Sequence, residues 1–433
     1  MNWTVEDLKE WDDKIIEIAN GYGLDWHPIN YEVCDYYSMI GHMSYHGMPT
    51  HYDHWSYGKS FERTHQAYNA GVEGLPYELI INSNPSIAYL MRENPLYLQI
   101  LIMAHCVGHS DFFKNNRMFK NTRAESVIGR FRAAKKRIQE YVEDPYIGIE
   151  KVEEVIDACH AMQYQILRDG SERKTHAELV EYYKGLEQRD SEGNLILFDL
   201  DNPPLEPDAD IMGFIAEHGK MPDWQRDIIE IVRDESYYFM PQIQTKIMNE
   251  GWASFWHYTI CHDLNLSDDL HLPFLRMHNA VIRPHMGGLN PYHLGFVIFQ
   301  DIKERFGLEE CFIARESCND IAFIRQYLTH ELCQELNLFS WSEKKEAYTI
   351  DEISDEDGWK KVRTDMCNSI ADSKLPVIKV SDIMIDGTLV LEHEHDGRDL
   401  ELDYADHTVE HAKILWGNNV ILNTIIEGDL WEI

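Results

Sequence analysis

The segment that decides the fold reads NPLYLQILIMAHCVGHSDFF and runs from residue 94 to residue 113. We interpret it as a helix, because Asn94 can cap an N-terminus and Pro95 suits a first helical turn. The apolar residues and histidines that recur at helical spacing, and so predict one shared stripe, are Leu98, Ile102, His105, His109 and Phe112. Two imidazoles therefore lie on the apolar face of the predicted helix.

The two histidines of this helix have the spacing of a metal-binding pair. His105 and His109 are four residues apart, so a helix presents both rings to a common point, as it does when it holds a divalent metal. Glu250 supplies a candidate third ligand, because it falls in an otherwise apolar stripe where an uncompensated carboxylate is costly. The sequence predicts a site for zinc, or another divalent metal, at these three residues. A neutral hydrogen-bonded network of the same side chains is the alternative.

The order of these segments resembles the gluzincin metallopeptidases, in which an edge strand precedes a helix bearing His-Glu-x-x-His and a later helix supplies a Glu. Here Cys106 stands where that helix carries the Glu that acts as general base. Either another carboxylate acts in its place, or the site does not hydrolyse peptides. Glu235 is a candidate substitute, with an ordinary solvent-facing Glu as the alternative reading.

Further candidate residues follow the predicted metal ligands along the chain. His257 lies two turns beyond Glu250 on the same helical face, and His293 follows in the segment 276–296, so both are candidate proton shuttles. Arg283 and Tyr292 in that segment are candidate substrate-binding residues, since an Arg can bind an anion. Each of them alone is more often structural.

A histidine-rich and aromatic segment at 24–75 is predicted to be loop-rich. Its histidine spacings are too irregular to specify a metal. We predict instead that His46, His51 and Trp55 belong to an aromatic wall that faces a substrate. Simple packing of these rings is the alternative.

The chain has 433 residues, a length that suits two or three domains. We expect an α+β protein with a mainly helical, gluzincin-like core at 1–309, interrupted by a polar insertion at 168–222, and a smaller α+β module at 310–433. Helices are predicted near 123–142, 149–167, 223–239, 241–262 and 318–337, and strands at 77–82, 375–380, 388–395, 399–403 and 419–426.

Composition excludes several classes of function. The 39 basic and 75 acidic residues leave a net charge of −36, and so acidic a surface repels nucleic-acid phosphates and anionic lipids. No stretch reaches the ~18 uninterrupted apolar residues of a membrane span. The eight cysteines include no Cys-x-x-Cys pair, which favours reduced thiols. The first residues lack the basic and apolar regions of a secretory signal, and we expect a cytoplasmic protein.

Together these segments resemble the stage V sporulation protein R (SpoVR) family. The matching stretches are IGHMSYHGMPTHY at 40–52, GLPYE at 74–78, INSNP at 81–85, residues 105–116, KIMNEGWAS at 246–254, RPH at 283–285, GLNPYHLG at 288–295 and HDGRDL at 395–400. The family has an aliphatic residue in place of Cys106, so the missing base is a family property. The resemblance implies a cytoplasmic bacterial or archaeal protein, linked to spore cortex formation in spore formers or to stress physiology. It also implies two partners, a serine protein kinase and a von Willebrand A-like protein.

Two hypotheses about function follow. The first is a metal-dependent hydrolase, an amidase or peptidase that acts on a peptide or a peptidoglycan-related substrate. The second is a non-catalytic regulatory scaffold that docks the kinase and its companion through the module at 310–433.

Overall fold

The computed structural model describes residues 3–70, 78–185, 200–284, 288–344 and 347–433. Within these ranges the α-helices are α1 (Val5–Gly21), α2 (Tyr36–Ser44), α3 (Trp55–Asn69), α4 (Leu96–Asn115), α5 (Val127–Glu143), α6 (Ile149–Met162), α7 (His176–Lys184), α8 (Ile211–His218), α9 (Asp223–Gln244), α10 (Lys246–Asp263), α11 (Asp268–Val281), α12 (Pro291–Phe306), α13 (Leu308–Ser317), α14 (Asp320–Tyr327), α15 (His330–Glu335), α16 (Trp359–Ser369) and α17 (Leu402–Trp416).

The strands of the described residues form three small sheets. They are β1 (Ile29–Cys34), β2 (Glu78–Ile81), β3 (Ser86–Met91), β4 (Phe339–Lys344), β5 (Ala347–Ile353), β6 (Ile378–Ile383), β7 (Leu389–His393), β8 (Val420–Ile426) and β9 (Asp429–Glu432). The sheet orders are β1-β3-β2, β4-β5 and β6-β7-β8-β9. The predicted α+β class is confirmed, with a mainly helical N-terminal region and a C-terminal module of strands and one helix.

The chain forms two compact units, each assembled from two separate stretches. Unit 1 comprises Met1–Lys135 and Pro241–Lys374, and unit 2 comprises Lys136–Met240 and Leu375–Ile433. The expected boundary at residue 310 falls inside unit 1, because α13 packs on α12 and α14 packs on α10 there. The expected insertion at 168–222 contains α7 and α8, and its residues 186–199 lie outside the described ranges.

Helix α4 is the central element of the hydrophobic core of unit 1. Its side chains from Leu98 to Phe113 are all buried, so it is surrounded on every side rather than amphipathic with one apolar stripe. The helix begins at Leu96 with Pro95 as its N-cap, and no side chain caps it, contrary to the role expected for Asn94. An extended Pro suits that position because it has no N–H to leave unpaired. Despite the length of α4, no helix in the described part of the chain is long and apolar enough to cross a membrane.

The first sheet places a carboxylate beside α4. Strand β2 is an edge strand that pairs antiparallel with β3, with Glu78 opposite Leu90. Because side chains alternate along a strand, Glu78 and Leu90 lie on one face and Leu79 lies on the other. Leu90 belongs to the core that includes α4, so the face that carries Glu78 is the one turned toward that helix.

Three helices of unit 1 approach each other closely at glycines. A Cβ added at Gly108 of α4 would lie 2.7 Å from the Cα of Ala253 in α10. A Cβ added at Gly251 of α10 would lie 2.4 Å from the Cα of Gly295 in α12. Real Cβ atoms do not approach other carbons so closely, so the absence of side chains at these positions is what permits the packing.

Several local predictions are wrong. Pro241 does not separate two helices but lies inside α9, and the break falls at Thr245, whose hydroxyl donates to the Pro241 carbonyl. The predicted strand at 399–403 is absent, because Glu401 caps α17, which begins at Leu402. The loop-rich segment 24–75 contains β1, α2 and α3, the helix predicted at 318–337 is two helices, and the helix predicted at 149–167 ends at Met162. The first residue of the strand predicted at 77–82 lies outside the described ranges.

The Gly108→Ala substitution tests the close approach of α4 and α10. We expect it to lower the free energy of unfolding by roughly 1–3 kcal/mol, because the added methyl group must push the two helices apart. Gly129→Ala is the matched control: Gly129 also lies in a helix, but nothing lies within 4 Å of an added Cβ. That control should be neutral or stabilising by up to about 1 kcal/mol. Urea denaturation monitored by tryptophan fluorescence measures both, and equal stability of the two variants would contradict the packing argument.

Candidate metal centre

Two histidines and a carboxylate converge in unit 1 at a distance that suits one ion. Glu78 of β2 and His105 and His109 of α4 each offer a ligand atom, and these atoms all lie within 4.8 Å of one another. His105 Nε2 lies 3.6 Å from Glu78 Oε1. Both histidines are buried, and the Glu78 side chain is 14% exposed. The described residues thus contain a triad with the donor set that divalent metals use.

A second carboxylate faces the same histidine pair from α10. Glu250 Oε2 lies 3.4 Å from His109 Nε2 and 3.9 Å from His105 Nε2. The predicted convergence of Glu250 with the histidine pair is therefore present in the structure. With Glu78, the centre combines two imidazoles and two carboxylates from a strand and two helices.

Outer contacts fix the orientation of both rings. The Nδ1 atom of His109 lies 2.8 Å from the amide oxygen Oδ1 of Asn249 and must donate to it, so Nε2 is the atom that faces the carboxylates. The Nδ1 atom of His105 lies 2.8 Å from Nδ1 of His257, and Nε2 of His257 lies 2.7 Å from Nδ1 of His278. A neighbouring polar side chain at Nδ1 thus fixes the orientation of each of these two imidazole rings.

Electrostatics couple Glu250 to the two rings. Burial alone would raise the pKa of Glu250, but the facing imidazoles of His105 and His109 outweigh it and hold that pKa well below its usual range. Burial alone would lower the pKa of His109, yet Glu250 raises it above the ordinary value. Without a cation, the centre therefore favours an ionised carboxylate beside a protonated imidazole.

Tyr292 closes one side of the centre. Its ring stacks on His105 with centroids 6.1 Å apart and planes inclined by 20°. Burial, together with Glu250 and Glu78, raises the pKa of its hydroxyl, so the hydroxyl stays protonated and can donate a hydrogen bond. The predicted substrate-binding residue Tyr292 thus lies at the histidine pair.

The N-terminus of α10 is held in place by a buried carboxylate from α14. Asp320 accepts hydrogen bonds from the backbone N–H groups of Ile247 and Met248, both at 2.8 Å. Thr245, the N-cap residue, provides no such bond. Because Asn249 and Glu250 follow directly, Asp320 fixes the turn of helix that carries them.

Two residues predicted in the segment 276–296 lie away from the described contacts of this centre. Arg283 is exposed, and its carbonyl accepts a hydrogen bond from the side chain of Asn290, which caps α12. His293 is half-buried on α12, where burial lowers its pKa and the backbone of Ile282 partly opposes that shift. The roles predicted for these two residues stay predictions.

The aromatic segment forms a cluster of its own. His51 packs against Tyr57, with ring centroids 4.9 Å apart, and against Phe131 at 5.3 Å, and His46 lies 6.2 Å from His51. A Cβ added at Gly47, next to His46, would lie 3.3 Å from the side chain of Leu79. Trp55 is exposed beyond this cluster. The packing of these rings fits the alternative reading, and the substrate-facing role predicted for His46, His51 and Trp55 stays a prediction.

Glu235, the predicted substitute base, lies on α9 in unit 2, whereas the histidine pair lies in unit 1. It is buried at 7% exposure rather than solvent-facing. The expectation of a solvent-facing side chain is wrong, and the catalytic role of Glu235 is untested.

Sequence reasoning missed three residues of the centre: Glu78, Asn249 and Asp320. The signal for Glu78 was present, because it is the carboxylate of the short edge strand that precedes the histidine helix. Asn249 adjoins Glu250 in the same segment. Asp320 belongs to another helix, α14, and no local pattern indicates that it contacts the start of α10.

Two atoms of the centre indicate that it fits a cation. His105 Nε2 and Glu250 Oε2 are buried, and neither has a hydrogen-bond partner among the described residues. Buried polar atoms without a partner are costly, and a metal ion satisfies both of these at once. Imidazole nitrogen and carboxylate oxygen are ligands that zinc accepts. The residues present thus fit the divalent cation predicted from the sequence.

Asp320→Asn tests the cap of α10 through the pH dependence of stability. Burial, with Asp372 and Glu250, raises the pKa of Asp320 to about 7, and the two backbone N–H groups only partly oppose this. A folded pKa above the unfolded one means that the contribution to stability is complete at acidic pH and is lost as the pH rises. We therefore expect the stability of the native chain, relative to the Asn variant, to fall by a few kcal/mol between about pH 4 and pH 7, at about 1.4 kcal/mol per unit of pKa difference.

Urea titrations at a series of pH values measure this difference. Asp269→Asn is the control, because Asp269 is an exposed carboxylate in the first turn of α11. The difference in stability between the native chain and this variant should not fall between pH 4 and pH 7. A difference between the native chain and Asp320→Asn that does not change with pH would show that Asp320 is already ionised at pH 4.

Comparison with known proteins places the chain in a family. The family described as "SpoVR like protein" matches residues 2–375, and the family described as "SpoVR-like C-terminal domain" matches residues 376–427. The chain is similar to the uncharacterized protein YcgB of Escherichia coli (strain K12), with 34% identity over 475 residues that cover 97% of this chain and 92% of the relative. No solved structure matches it. The two family matches together span almost the whole sequence, so the chain belongs to the SpoVR family.

Proposed function

We propose that the chain is a hydrolase of amide bonds that depends on a divalent cation, with zinc held by His105, His109 and Glu250. One observation carries the proposal: two buried imidazoles meet two carboxylates, and the facing atoms His105 Nε2 and Glu250 Oε2 have no hydrogen-bond partner in the described residues. A catalytic site needs a donor set that leaves a position open for substrate, and three protein ligands satisfy that need.

The spacing of the donors supports zinc. Ligands at ~2.0–2.1 Å from a tetrahedral ion lie about 3.3 Å from one another. The separations here are 3.4 Å between His109 and Glu250, 3.6 Å between His105 and Glu78, and 3.9 Å between His105 and Glu250. Glu250 contacts both rings, which favours it as the third ligand.

Each remaining residue then has a chemical task. A divalent cation bound here supplies a Lewis acid that polarises a carbonyl group and lowers the pKa of water. Glu78, on the neighbouring strand and 3.6 Å from His105, takes the role of general base that Cys106 cannot play. Tyr292 donates its hydroxyl hydrogen to the oxygen on which negative charge develops. Asn249 and His257 fix the orientation of the two ligating rings.

The substrate class comes from family resemblance. Peptides and peptidoglycan-related amides are the proposed substrates, in the cytoplasm of a cell that builds a spore cortex or responds to stress. We keep His46, His51 and Trp55 as proposed residues of an aromatic wall that faces these substrates.

Metal content and activity of matched variants test the proposal. We expect about one zinc ion per native chain by inductively coupled plasma mass spectrometry after purification without chelators. His105→Ala and Glu250→Gln should lose the ion, because each removes a ligand. Glu78→Gln should keep the ion but lose at least about 100-fold in the rate of amide hydrolysis, since it removes only the base. Peptidoglycan fragments and blocked peptides are the substrates to assay.

His262→Ala is the control for these variants. His262 lies on α10 like Glu250, but it is exposed, and its Nδ1 contacts only the carbonyl of Tyr258. It should retain metal and activity. A native chain without bound metal would overturn the proposal, and loss of the ion from Glu78→Gln would reassign Glu78 as a ligand.

We also propose a second function, a scaffold for a serine protein kinase and a von Willebrand A-like protein, which the family resemblance implies. The observation that favours it is a separate family match over residues 376–427, a segment that includes the sheet strands β6, β7 and β8 and the helix α17. This segment belongs to unit 2, whereas the histidine pair belongs to unit 1. Docking and metal binding would then use different parts of the chain.

Quantitative pull-down with the tagged full chain tests the scaffold. Both partners should be recovered in equal amount with the native chain and with a folded His105→Ala variant, because that substitution leaves unit 2 intact. A native chain that recovers neither partner from cells that produce both would contradict the scaffold function.

A further inference from the structure

Three buried histidines make a continuous row that begins at the proposed metal site. His105 of α4 contacts His257 of α10 through their Nδ1 atoms at 2.8 Å. His257 then contacts His278 of α11 through Nε2 and Nδ1 at 2.7 Å. The exposures of the three residues are 2%, 0% and 2%. We call these three residues the histidine row.

Only two placements of the N–H hydrogens on three neutral imidazoles satisfy both hydrogen bonds of the row. A neutral imidazole carries one N–H, and each contact needs one donor and one acceptor. If His105 Nε2 binds a cation, its hydrogen must sit on Nδ1 and point to His257. His257 then accepts at Nδ1 and donates from Nε2, and His278 accepts at Nδ1 and carries its own hydrogen on Nε2.

Without a cation, the opposite arrangement is favoured. Glu78 and Glu250 lie 3.6 and 3.9 Å from His105 Nε2, and their negative charge favours a hydrogen on that atom. With its hydrogen on Nε2, His105 accepts at Nδ1 from His257, which accepts at Nε2 from His278. Every hydrogen bond in the row therefore reverses when the cation binds.

The surroundings of His278 isolate the far end of the row. Its ring lies against aromatic rings, with centroid distances of 4.7 Å to Tyr258, 5.1 Å to Phe296 and 6.2 Å to Phe274. Its Nε2 atom is buried and has no hydrogen-bond partner among the described residues. His257 is enclosed by the other two rings.

We propose that the histidine row is a directional relay whose hydrogen bonds reverse when His105 Nε2 binds a cation, so that His257 and His278 are positioning residues of the metal site. The proposal rests on the proposed function. In the reversal, the hydrogen on His105 Nε2 leaves as a proton to solvent. The hydrogen on His257 Nδ1 passes to His105 Nδ1, and that on His278 Nδ1 passes to His257 Nε2. His278 takes up one proton from water at Nε2, so the charge of the row is unchanged.

Nitrogen-15 NMR of the full chain, labelled at histidine, tests this inference directly. Long-range ¹H–¹⁵N spectra distinguish imidazoles that carry hydrogen on Nδ1 from those that carry it on Nε2, and the His278→Gln spectrum assigns the His278 signals. We expect one equivalent of zinc to convert His278 from the Nδ1–H to the Nε2–H form, although two other residues separate it from the ion. The exposed His262 should not change.

His257→Phe separates the row from a general structural effect. Phenylalanine keeps a ring in the core but has no nitrogen, so His278 should no longer change form when zinc is added. We expect zinc affinity to fall ~10–100-fold, as for other second-layer partners of a ligating histidine. His257→Gln, which restores one donor and one acceptor, should recover part of that affinity, and His262→Phe should leave it unchanged.

The outcomes separate this proposal from the proposed function. Zinc that binds at the native centre without changing the form of His278 overturns the relay and leaves the metal site standing. A His278 that still changes form in His257→Phe overturns it as well. A native chain that binds no zinc, as measured by calorimetry on the same sample, overturns both.

Discussion

The close approach of α4 and α10 is the constraint on which the rest of the site depends. Gly108, which lets α4 touch α10 at Ala253, lies between the two histidines, and Gly251, which lets α10 approach α12 at Gly295, follows Glu250. Close packing of these helices therefore brings a carboxylate to the two imidazoles. Both imidazoles and the Oε2 atom of Glu250 are buried, so these polar atoms must be satisfied inside the protein.

Much of this centre was predictable because its signals are local. The spacing of His105 and His109 defines a common face on any helix, and a carboxylate in the apolar stripe of Glu250 needs a buried partner. The family resemblance and the α+β class were also predicted from the sequence and are confirmed. The likeness to gluzincins stays a prediction from motif order.

The residues that were missed depend on contacts between distant segments. Glu78 could be placed on a strand, but the register with β3 decides which face turns to α4. Proline predicts a helix break, yet Pro241 is tolerated inside α9, where the break comes one turn later at Thr245. The strand expected at 399–403 failed for a similar reason: a local alternation of side chains does not outweigh a capping carboxylate at Glu401 followed by a helix that packs on β8.

The polar side chains of the centre favour a functional role over a purely structural one. Apolar side chains would stabilise a purely structural core better, because burying a carboxylate costs several kcal/mol per ion. Here two of them face an imidazole pair whose rings are oriented from behind by Asn249 and His257. Cys106, in the position of the missing helical base, is wholly buried, and burial followed by the charge of Glu78 raises the pKa of its thiol. That thiol stays protonated, so the general base of the proposed hydrolase has to come from another element, and the edge strand places Glu78 next to the pair.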